Sequence, residues 1–443
     1  MHIKQFEYKP LAHYSYAIVS NGEMAVIDPE RNPEQYYEFA KANNATITII
    51  IETHPHADFV SSHLEIYKKT GATIYNSKKL GADYAHHTFD DGDSVHCGNV
   101  KLTALNTPGH SPDSITIVAT EGKETALFTG DTLFIGDVGR PDLREKAGNM
   151  KAKREELAAM MYETMSEKFN NFPDDVVIYP AHGAGSLCGK NLSDKSSSTL
   201  GNERRNNWAF KKQSKDEFMA VLLDGQPFIP AYFGFDVDIN KTGARNVKSA
   251  IEKIPFTENS SADGLIVDTR DEKSFKNGHL FGSFNIQAVS ENSSFETWLG
   301  SIVTPKDSFT LVIDDKEKKD TILERVAKIG YEKLLNKVIT LPNENLIKSK
   351  ELDISDFTQN PEKYTIVDIR NKSEVEAGKF FDNAISHPLN NLRESASTIP
   401  RTKPIVVHCA GGYRSAAGSS ILEKIIKDVT VYDLSDNVKA FTD

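Results

Sequence analysis

Cysteine is scarce in this 443-residue chain, which has only Cys97, Cys188 and Cys409. They are odd in number, far apart, and no two stand at CxxC spacing. That excludes a disulfide framework and a thiolate zinc site, and it points to a reducing compartment, the cytoplasm. Long apolar runs are also missing. No stretch approaches the ~20 residues that a membrane-spanning helix needs, and Met1-His2-Ile3-Lys4 does not open as a secretory leader, so no membrane partner is expected. Positive charge is in deficit, with 52 Lys and Arg against 63 Asp and Glu, a net charge of -11. Without a basic tract this argues against nucleic acid as a partner. What remains is 39% hydrophobic and 26% charged, the composition of a soluble globular protein, and the length implies two to four domains.

The densest chemistry lies in Thr53-His54-Pro55-His56-Ala57-Asp58-Phe59-Val60-Ser61-Ser62-His63. A β-branched run, Thr46 to Ile51, precedes it and reads as a buried strand. Val60, Leu64, Ile66 and Tyr67 follow at helical spacing. A turn between strand and helix can aim His54, His56 and Asp58 into one volume, as a metal site requires. Three further strand ends deliver residues of the same kind. Val100 to Leu105 leads to Thr107-Pro108-Gly109-His110, Thr125 to Phe128 leads to Thr129-Gly130-Asp131, and Val176 to Tyr179 leads to Pro180-Ala181-His182. Tyr16 to Ser20 and Met24 to Ile27 read as paired strands about the turn Asn21-Gly22, and residues 33 to 42 read as a helix.

These motifs resemble the His-x-His-x-Asp-His signature of the metallo-β-lactamase superfamily, with Phe59 where the last histidine stands. The resemblance implies an αββα sandwich whose loops meet at one sheet edge. Because a phenyl ring cannot coordinate a metal, Phe59 argues for one ion rather than two. His63, four residues further on, is a conceivable substitute ligand. Gly136-Asp137-Val138-Gly139-Arg140-Pro141-Asp142 and Pro180-Ala181-His182-Gly183-Ala184-Gly185-Ser186 look like the persulfide dioxygenase branch of that superfamily. In that branch one iron(II) per chain is held by the residues matching His54, His110 and Asp131. Two histidines and one carboxylate with open positions are the ligand set of non-haem iron oxygenases. His56, Asp58 and His182 would then orient ligands and metal-bound water. Arg140 is a candidate partner for a substrate carboxylate. Cys97 reads as a packing residue, and Cys188, close to His182, as a buried thiol beside the site. The competing assignment is two zinc ions and thioester hydrolysis of the glyoxalase II type.

After a serine-rich loop, 193 to 198, an internal repeat appears with an offset of 100 residues. Leu265-Ile266-Val267-Asp268-Thr269-Arg270 matches Thr365-Ile366-Val367-Asp368-Ile369-Arg370, and Gly278 matches Gly378. Each copy reads as a short apolar strand ending in Asp-x-Arg and followed by a helix. This resembles the rhodanese fold, a small α/β domain with a parallel sheet. In the second copy the strand Pro404 to His408 runs into Cys409-Ala410-Gly411-Gly412-Tyr413-Arg414-Ser415. There the amides of Gly411, Gly412 and a helix N-terminus can converge on the sulfur. Cys-x-x-x-x-Arg in this setting is similar to a sulfurtransferase loop, with Cys409 the sulfur carrier and Arg414 facing an anionic donor. A cysteine phosphatase would carry one more residue before the arginine. The first copy aligns Asp314 with Cys409 and Lys319 with Arg414, so it cannot carry sulfur.

The expected organisation is residues 1–240 as the metal domain, 243–345 as an inactive rhodanese-like domain and 350–443 as an active one. The whole order resembles persulfide dioxygenase–rhodanese fusions. That implies oxidation of a thiol persulfide by O₂ to sulfite and thiol, with thiosulfate formed or used at Cys409. Small-molecule partners and a homo-oligomer are expected. A scaffold with a vestigial metal site is the non-enzymatic rival.

Overall fold

The computed structural model describes residues 1–145 and 153–441. They divide into two units, one of residues 1–250 with 327–330, the other of 251–326 with 331–443. Both strands of the internal repeat, Leu265–Asp268 and Thr365–Asp368, therefore fall in one unit, whose first residue is Ile251, and Ala327–Gly330 fall with the first unit.

The first unit is built on two six-stranded sheets. The first sheet runs in the order β1 (His2–Tyr8), β2 (His13–Ser20), β3 (Glu23–Ile27), β4 (Thr46–Ile51), β5 (Thr73–Asn76), β6 (His87–Thr88). β1, β2 and β3 are antiparallel, and β3 to β6 are parallel. The turn from β2 to β3 places Asn21 and Gly22 at φ 49° and 78°, the left-handed pair that a tight hairpin demands. The second sheet contains β7 (Ser94–Cys97), β8 (Val100–Asn106), β9 (Ile115–Glu121), β10 (Glu124–Gly130), β11 (Val177–Pro180) and β12 (Ser198–Thr199), ordered β12-β11-β10-β9-β8-β7.

Alternation along the strands explains the layers. Tyr16, Ile18, Ala25 and Ile27 face Leu102, Ala104, Ile117 and Phe128 between the sheets. Their chain neighbours Ala17, Met24 and Val26 point outward, to Tyr36 and Ala40 of the helix Glu34–Ala42 and to Ile66 of the helix His63–Thr70. Leu127 and Ile178 likewise pack on Ala158, Met161 and Met165 of the helix Arg154–Glu167. Helix, sheet, sheet and helix layers follow, an αββα sandwich.

In the second unit β13 (Phe256–Thr257), β14 (Leu265–Asp268), β15 (Ser283–Asn285), β16 (Phe309–Val312) and β17 (Leu335–Ile339) form a parallel sheet in the order β13-β17-β16-β14-β15. β18 (Thr365–Asp368), β19 (Ile385–Ser386), β20 (Ile405–His408) and β21 (Val431–Asp433) form another, β19-β18-β20-β21. The repeat is visible in the pairing, since β14 lies between β15 and β16 as β18 lies between β19 and β20. Tyr413 Oη donates to the Gln287 carbonyl at 2.9 Å and Asn285 N to Ser420 Oγ at 3.0 Å, so the two copies share hydrogen bonds inside this unit. Among the described residues no helix is long and apolar enough to cross a membrane.

Candidate metal centre and sulfur-carrier loop

Strand register brings the strand ends of the first unit together. Asn106 pairs with Ile115, Phe128 with Ile117, and Gly130 with Pro180, so β8 and β10 end beside the start of β9, and β11 ends beside β10. Ile115 N donates to the Thr53 carbonyl at 2.9 Å, which ties the end of β4 to the same edge. Gly130, at φ 52°, has no room for a side chain, because a Cβ there would lie 2.5 Å from Thr53 Oγ1. Asp131 is thus presented directly against the His54 loop.

His54, His110 and Asp131 each place one donor atom within 4.8 Å of the others, all buried. His54 Nε2 is 3.6 Å and His110 Nε2 3.5 Å from Asp131 Oδ2. Among the described residues His54 Nε2 and Asp131 Oδ2 find no hydrogen-bond partner. A buried acceptor left so costs about 1–3 kcal/mol, which a cation would recover. The tautomers suit a ligand role. Thr53 Oγ1 donates to Asp28 Oδ2 at 2.8 Å, so it can only accept from His54 Nδ1, 3.0 Å away. His110 Nδ1 lies 2.9 Å from the Arg140 carbonyl, which also only accepts. Both rings therefore carry their proton on Nδ1 and turn a lone pair on Nε2 toward Asp131. Burial pushes the His110 pKa down to about 4, which keeps that lone pair free at neutral pH.

The three other histidine and aspartate candidates sit differently. His182 bridges Asp131 Oδ1 (2.7 Å, through Nδ1) and Asp58 Oδ2 (2.9 Å, through Nε2). Burial alone would lower its pKa, but the two carboxylates outweigh burial and hold it well above the usual histidine range. Burial likewise opposes ionisation of Asp131, and His182 and His54 outweigh it. His56 turns away from this trio to Asp28 Oδ1 at 3.2 Å and Glu52 Oε2 at 3.8 Å. Phe59 is fully buried and packs on the His13 and His56 rings at centroid distances of 3.9 and 4.4 Å.

His63 opens its helix rather than lying one turn inside it, because residues 59–62 are not helical. It faces Glu52 Oε1 at 3.3 Å and the Tyr84 ring, outside the trio. Arg140 already has protein partners. It is 1% exposed, forms a two-bond pair with Asp142, and donates to the Leu187, Pro227 and Phe228 carbonyls. It braces the loop, and its own carbonyl, not its guanidinium, serves the site.

Two residues escaped the sequence reading. Asp28 holds both the amide and the hydroxyl of Thr53. It ends β3 as Asp131 ends β10, so the strand-end rule that found Asp131 applied to it as well. Glu52 accepts from Ser61 Oγ at 2.6 Å. Cys188 is 1% exposed, and its sulfur lies within 4.8 Å of ligand atoms of Asp58 and His182. Burial, with Asp58 and Asp131, pushes its pKa well up.

In the second unit β20 ends at His408, and the helix Tyr413–Ile425 follows Cys409 after three intervening residues. Cys409 is 1% exposed, and its sulfur accepts the Gly412 amide at 3.2 Å. Gly412 is at φ 98°, and a Cβ there would stand 3.0 Å from the Asp436 amide nitrogen. Gly411 is exposed. Arg414 forms a forked pair with Glu374, at 2.6 and 2.7 Å. In the first copy Asp314 pairs with Lys318 at 2.7 Å, and no cysteine is present.

Comparison with known proteins fits this geometry. The pattern of the Metallo-beta-lactamase superfamily matches residues 8–182, and that of the Rhodanese-like domain matches 353–442. A crystal structure of a metallo-beta-lactamase from Staphylococcus aureus subsp. aureus COL is 32% identical with a TM-score of 0.67, covering 77% of this chain and 99% of that one. The chain belongs to the metallo-beta-lactamase superfamily. Among curated superfamily relatives, a probable hydroxyacylglutathione hydrolase of Schizosaccharomyces pombe is 32% identical over 38% of this chain and 63% of its own length. The mitochondrial persulfide dioxygenase ETHE1 of Homo sapiens is 31% identical over 36% of this chain and 59% of its own. The chain thus spans about three fifths of the curated relatives it matches. Superfamily membership together with the buried donor trio makes this a metal-binding fold, and a rhodanese-like domain follows it in the chain.

Proposed function

We infer that the first unit is an iron-dependent persulfide dioxygenase and that Cys409 carries sulfane sulfur in the same protein. The implied reaction is R–S–SH + O₂ + H₂O → R–SH + sulfite + 2 H⁺, with thiosulfate formed or used at Cys409. The observation that carries this reading is the isolation of one two-histidine, one-carboxylate set. His54 Nε2, His110 Nε2 and Asp131 Oδ2 face one another, while His56 is engaged by Asp28 and Asp58 by His182.

Iron(II) held there would supply open coordination positions for a thiol persulfide and O₂, and the redox chemistry that joins them. The protein's part can be derived from its own contacts. Thr53 and the Arg140 carbonyl fix the two imidazole tautomers. His182 occupies Asp131 Oδ1, which leaves Oδ2 as the ligating oxygen. His182 also carries a proton between two carboxylates, so it neutralises part of the buried negative charge. Burial of all these groups to 3% exposure or less keeps bulk water from competing for them.

A two-zinc thioesterase is the second reading, favoured by the identity to hydroxyacylglutathione hydrolases. Phe59 and the turned-away His56 weigh against it. Metal analysis with O₂ uptake on a thiol persulfide separates the two. One iron per chain and persulfide-dependent O₂ consumption are expected, and two zincs with thioester hydrolysis would replace the dioxygenase assignment. His110→Ala is expected to lose iron and O₂ uptake together. Stoichiometric iron retained in that variant overturns the ligand set.

A further inference from the structure

The internal repeat separates scaffold from chemistry in the second unit. In both copies the arginine of Asp-x-Arg makes a forked bond to the aspartate two residues earlier. Nη2 to Oδ2 is 2.7 Å for Arg270–Asp268 and 2.7 Å for Arg370–Asp368. The same nitrogens reach the Gly278 and Gly378 carbonyls at 2.8 and 2.9 Å. This construction is present with or without a cysteine, so it holds the fold.

Glu374–Arg414 behaves otherwise. At the repeat offset of 100 residues Glu374 becomes Ser274, and the loop of Arg414 has its counterpart in the lysine-bearing loop of residues 314–319. The pair exists only in the copy that has Cys409. It is bidentate and partly buried, with the two side chains 34% and 16% exposed. Burial disfavours the Arg414 charge, and the Glu374 bonds outweigh that and raise its pKa further, so the guanidinium stays charged and its charge is met by Glu374. Arg370 is met in the same way by Asp368. His408 is held neutral, because burial pushes its pKa down. Arg414 and Arg370 are thus each met by a carboxylate, and the Gly412 amide donates to the Cys409 sulfur.

Resting on the sulfurtransferase reading of Cys409, we propose that Glu374 sets the charge selectivity of the loop. By occupying Arg414 it disfavours the dianion thiosulfate as donor and leaves Cys409 to thiol persulfides, whose reacting end carries at most one negative charge. In the favoured step the Cys409 thiolate attacks the outer sulfur of R–S–SH, and the S–S bond of the donor breaks. RS⁻ leaves with the electron pair, giving Cys409–S–SH. No external oxidant or reductant is consumed. Glu374 acts through Arg414 and is a positioning residue, not a catalytic one.

Wild-type full-length protein is expected to show kcat/KM for glutathione persulfide at least about tenfold above that for thiosulfate, with cyanide or a thiol as acceptor. Glu374→Gln keeps the size of the side chain and removes one negative charge beside a dianion. It is expected to lower KM for thiosulfate about tenfold, or about 1.4 kcal/mol, with a smaller change for the persulfide. Glu374→Asp, which keeps the charge, should keep the wild-type donor preference. A merely structural glutamate would instead lower kcat for both donors alike in Glu374→Gln, and that result overturns the proposal. So does a wild-type preference for thiosulfate, which requires no variant to fold. If neither donor loads Cys409 in the wild type, the sulfurtransferase reading fails and the selectivity with it. If both load but Glu374→Gln leaves the ratio of their KM values unmoved, only the selectivity is lost.

Discussion

Two copies of one small parallel-sheet module make up the second unit, and they agree wherever the backbone needs support. β14 and β18 carry the same apolar run and end in the same buried aspartate, 0% and 1% exposed. Each aspartate is held by the arginine two residues on, which also satisfies a glycine carbonyl eight residues further. They disagree where a strand feeds its loop. After β20 come Cys409, Ala410, two glycines and a long helix, whereas after β16 come Ile313, Asp314, Asp315 and a lysine-rich stretch. A buried ion pair that survives in both copies marks structure, and a loop that differs marks chemistry.

The strongest way to break that division is at the sulfur. Cys409→Ser is expected to lower sulfane-sulfur transfer by at least about 10³-fold, because the nucleophile is gone. O₂ uptake on preformed persulfide should persist, since the proposed iron ligands lie in the other unit. Transfer activity remaining in Cys409→Ser would mean that another group carries the sulfur.

The shared pair is tested next. Removing the arginine leaves a buried carboxylate uncompensated, which costs about 3–5 kcal/mol. Arg370→Ala and Arg270→Ala should therefore both lower amide-exchange protection, the first in β18 and β20, the second in β14 and β16. Arg270 is somewhat more exposed than Arg370, at 12% against 4% for the side chains, so its loss should fall at the lower end. An undetectable effect in one copy would show that the pair is not common scaffold.

A smaller effect is expected at Gly412. Its φ of 98° and the Asp436 amide leave no comfortable place for a Cβ, and strain of this kind costs about 1–3 kcal/mol. Gly412→Ala should slow transfer about tenfold or more by displacing the amide that meets Cys409. Gly378→Ala makes the control, because a Cβ there meets nothing within 4 Å. Equal effects from the two substitutions would remove the argument for a strained loop.

Much of this architecture is legible in the amino-acid order alone. Short β-branched runs ending in His or Asp mark the strand ends, and their convergence follows from the sandwich. The repeat offset exposes both modules. What periodicity cannot supply is direction. His54 and His56 are two residues apart on one loop. His56 faces Asp28 because β3 and β4 pair in parallel and end together, a contact that skips the whole helix Glu34–Ala42. Arg140 on its glycine-rich loop suggests an accessible cation. Its partners include carbonyls at Leu187, Pro227 and Phe228, none of them near it in sequence. The Glu374–Arg414 pair spans 40 residues and joins two helices across the loop of Cys409. Each miss is a long-range polar contact, which local spacing does not encode.

The smallest effect predicted is at Asp314, which the sequence sets against Cys409, whereas strand pairing, with Val312 and His408 each opposite the buried aspartate, puts Ile313 there and Asp314 one residue beyond. Its side chain is 47% exposed and pairs with Lys318, itself 56% exposed, at 2.7 Å. An exposed pair of this kind contributes little, about 0.2–1 kcal/mol. Nothing else about the loop requires an acid. It has no cysteine to load and no glycine to bring amides onto a sulfur. Asp314→Ala should therefore leave sulfur transfer within about twofold of wild type and stability within about 0.5 kcal/mol, as expected for exposed substitutions away from packed or strained positions. Transfer assayed with glutathione persulfide, alongside amide exchange in β16, reads both quantities in the full-length protein. A tenfold loss of transfer with exchange in β16 unchanged would give the acidic loop a part in handling sulfur, and the division between a working copy and a supporting one would have to be abandoned.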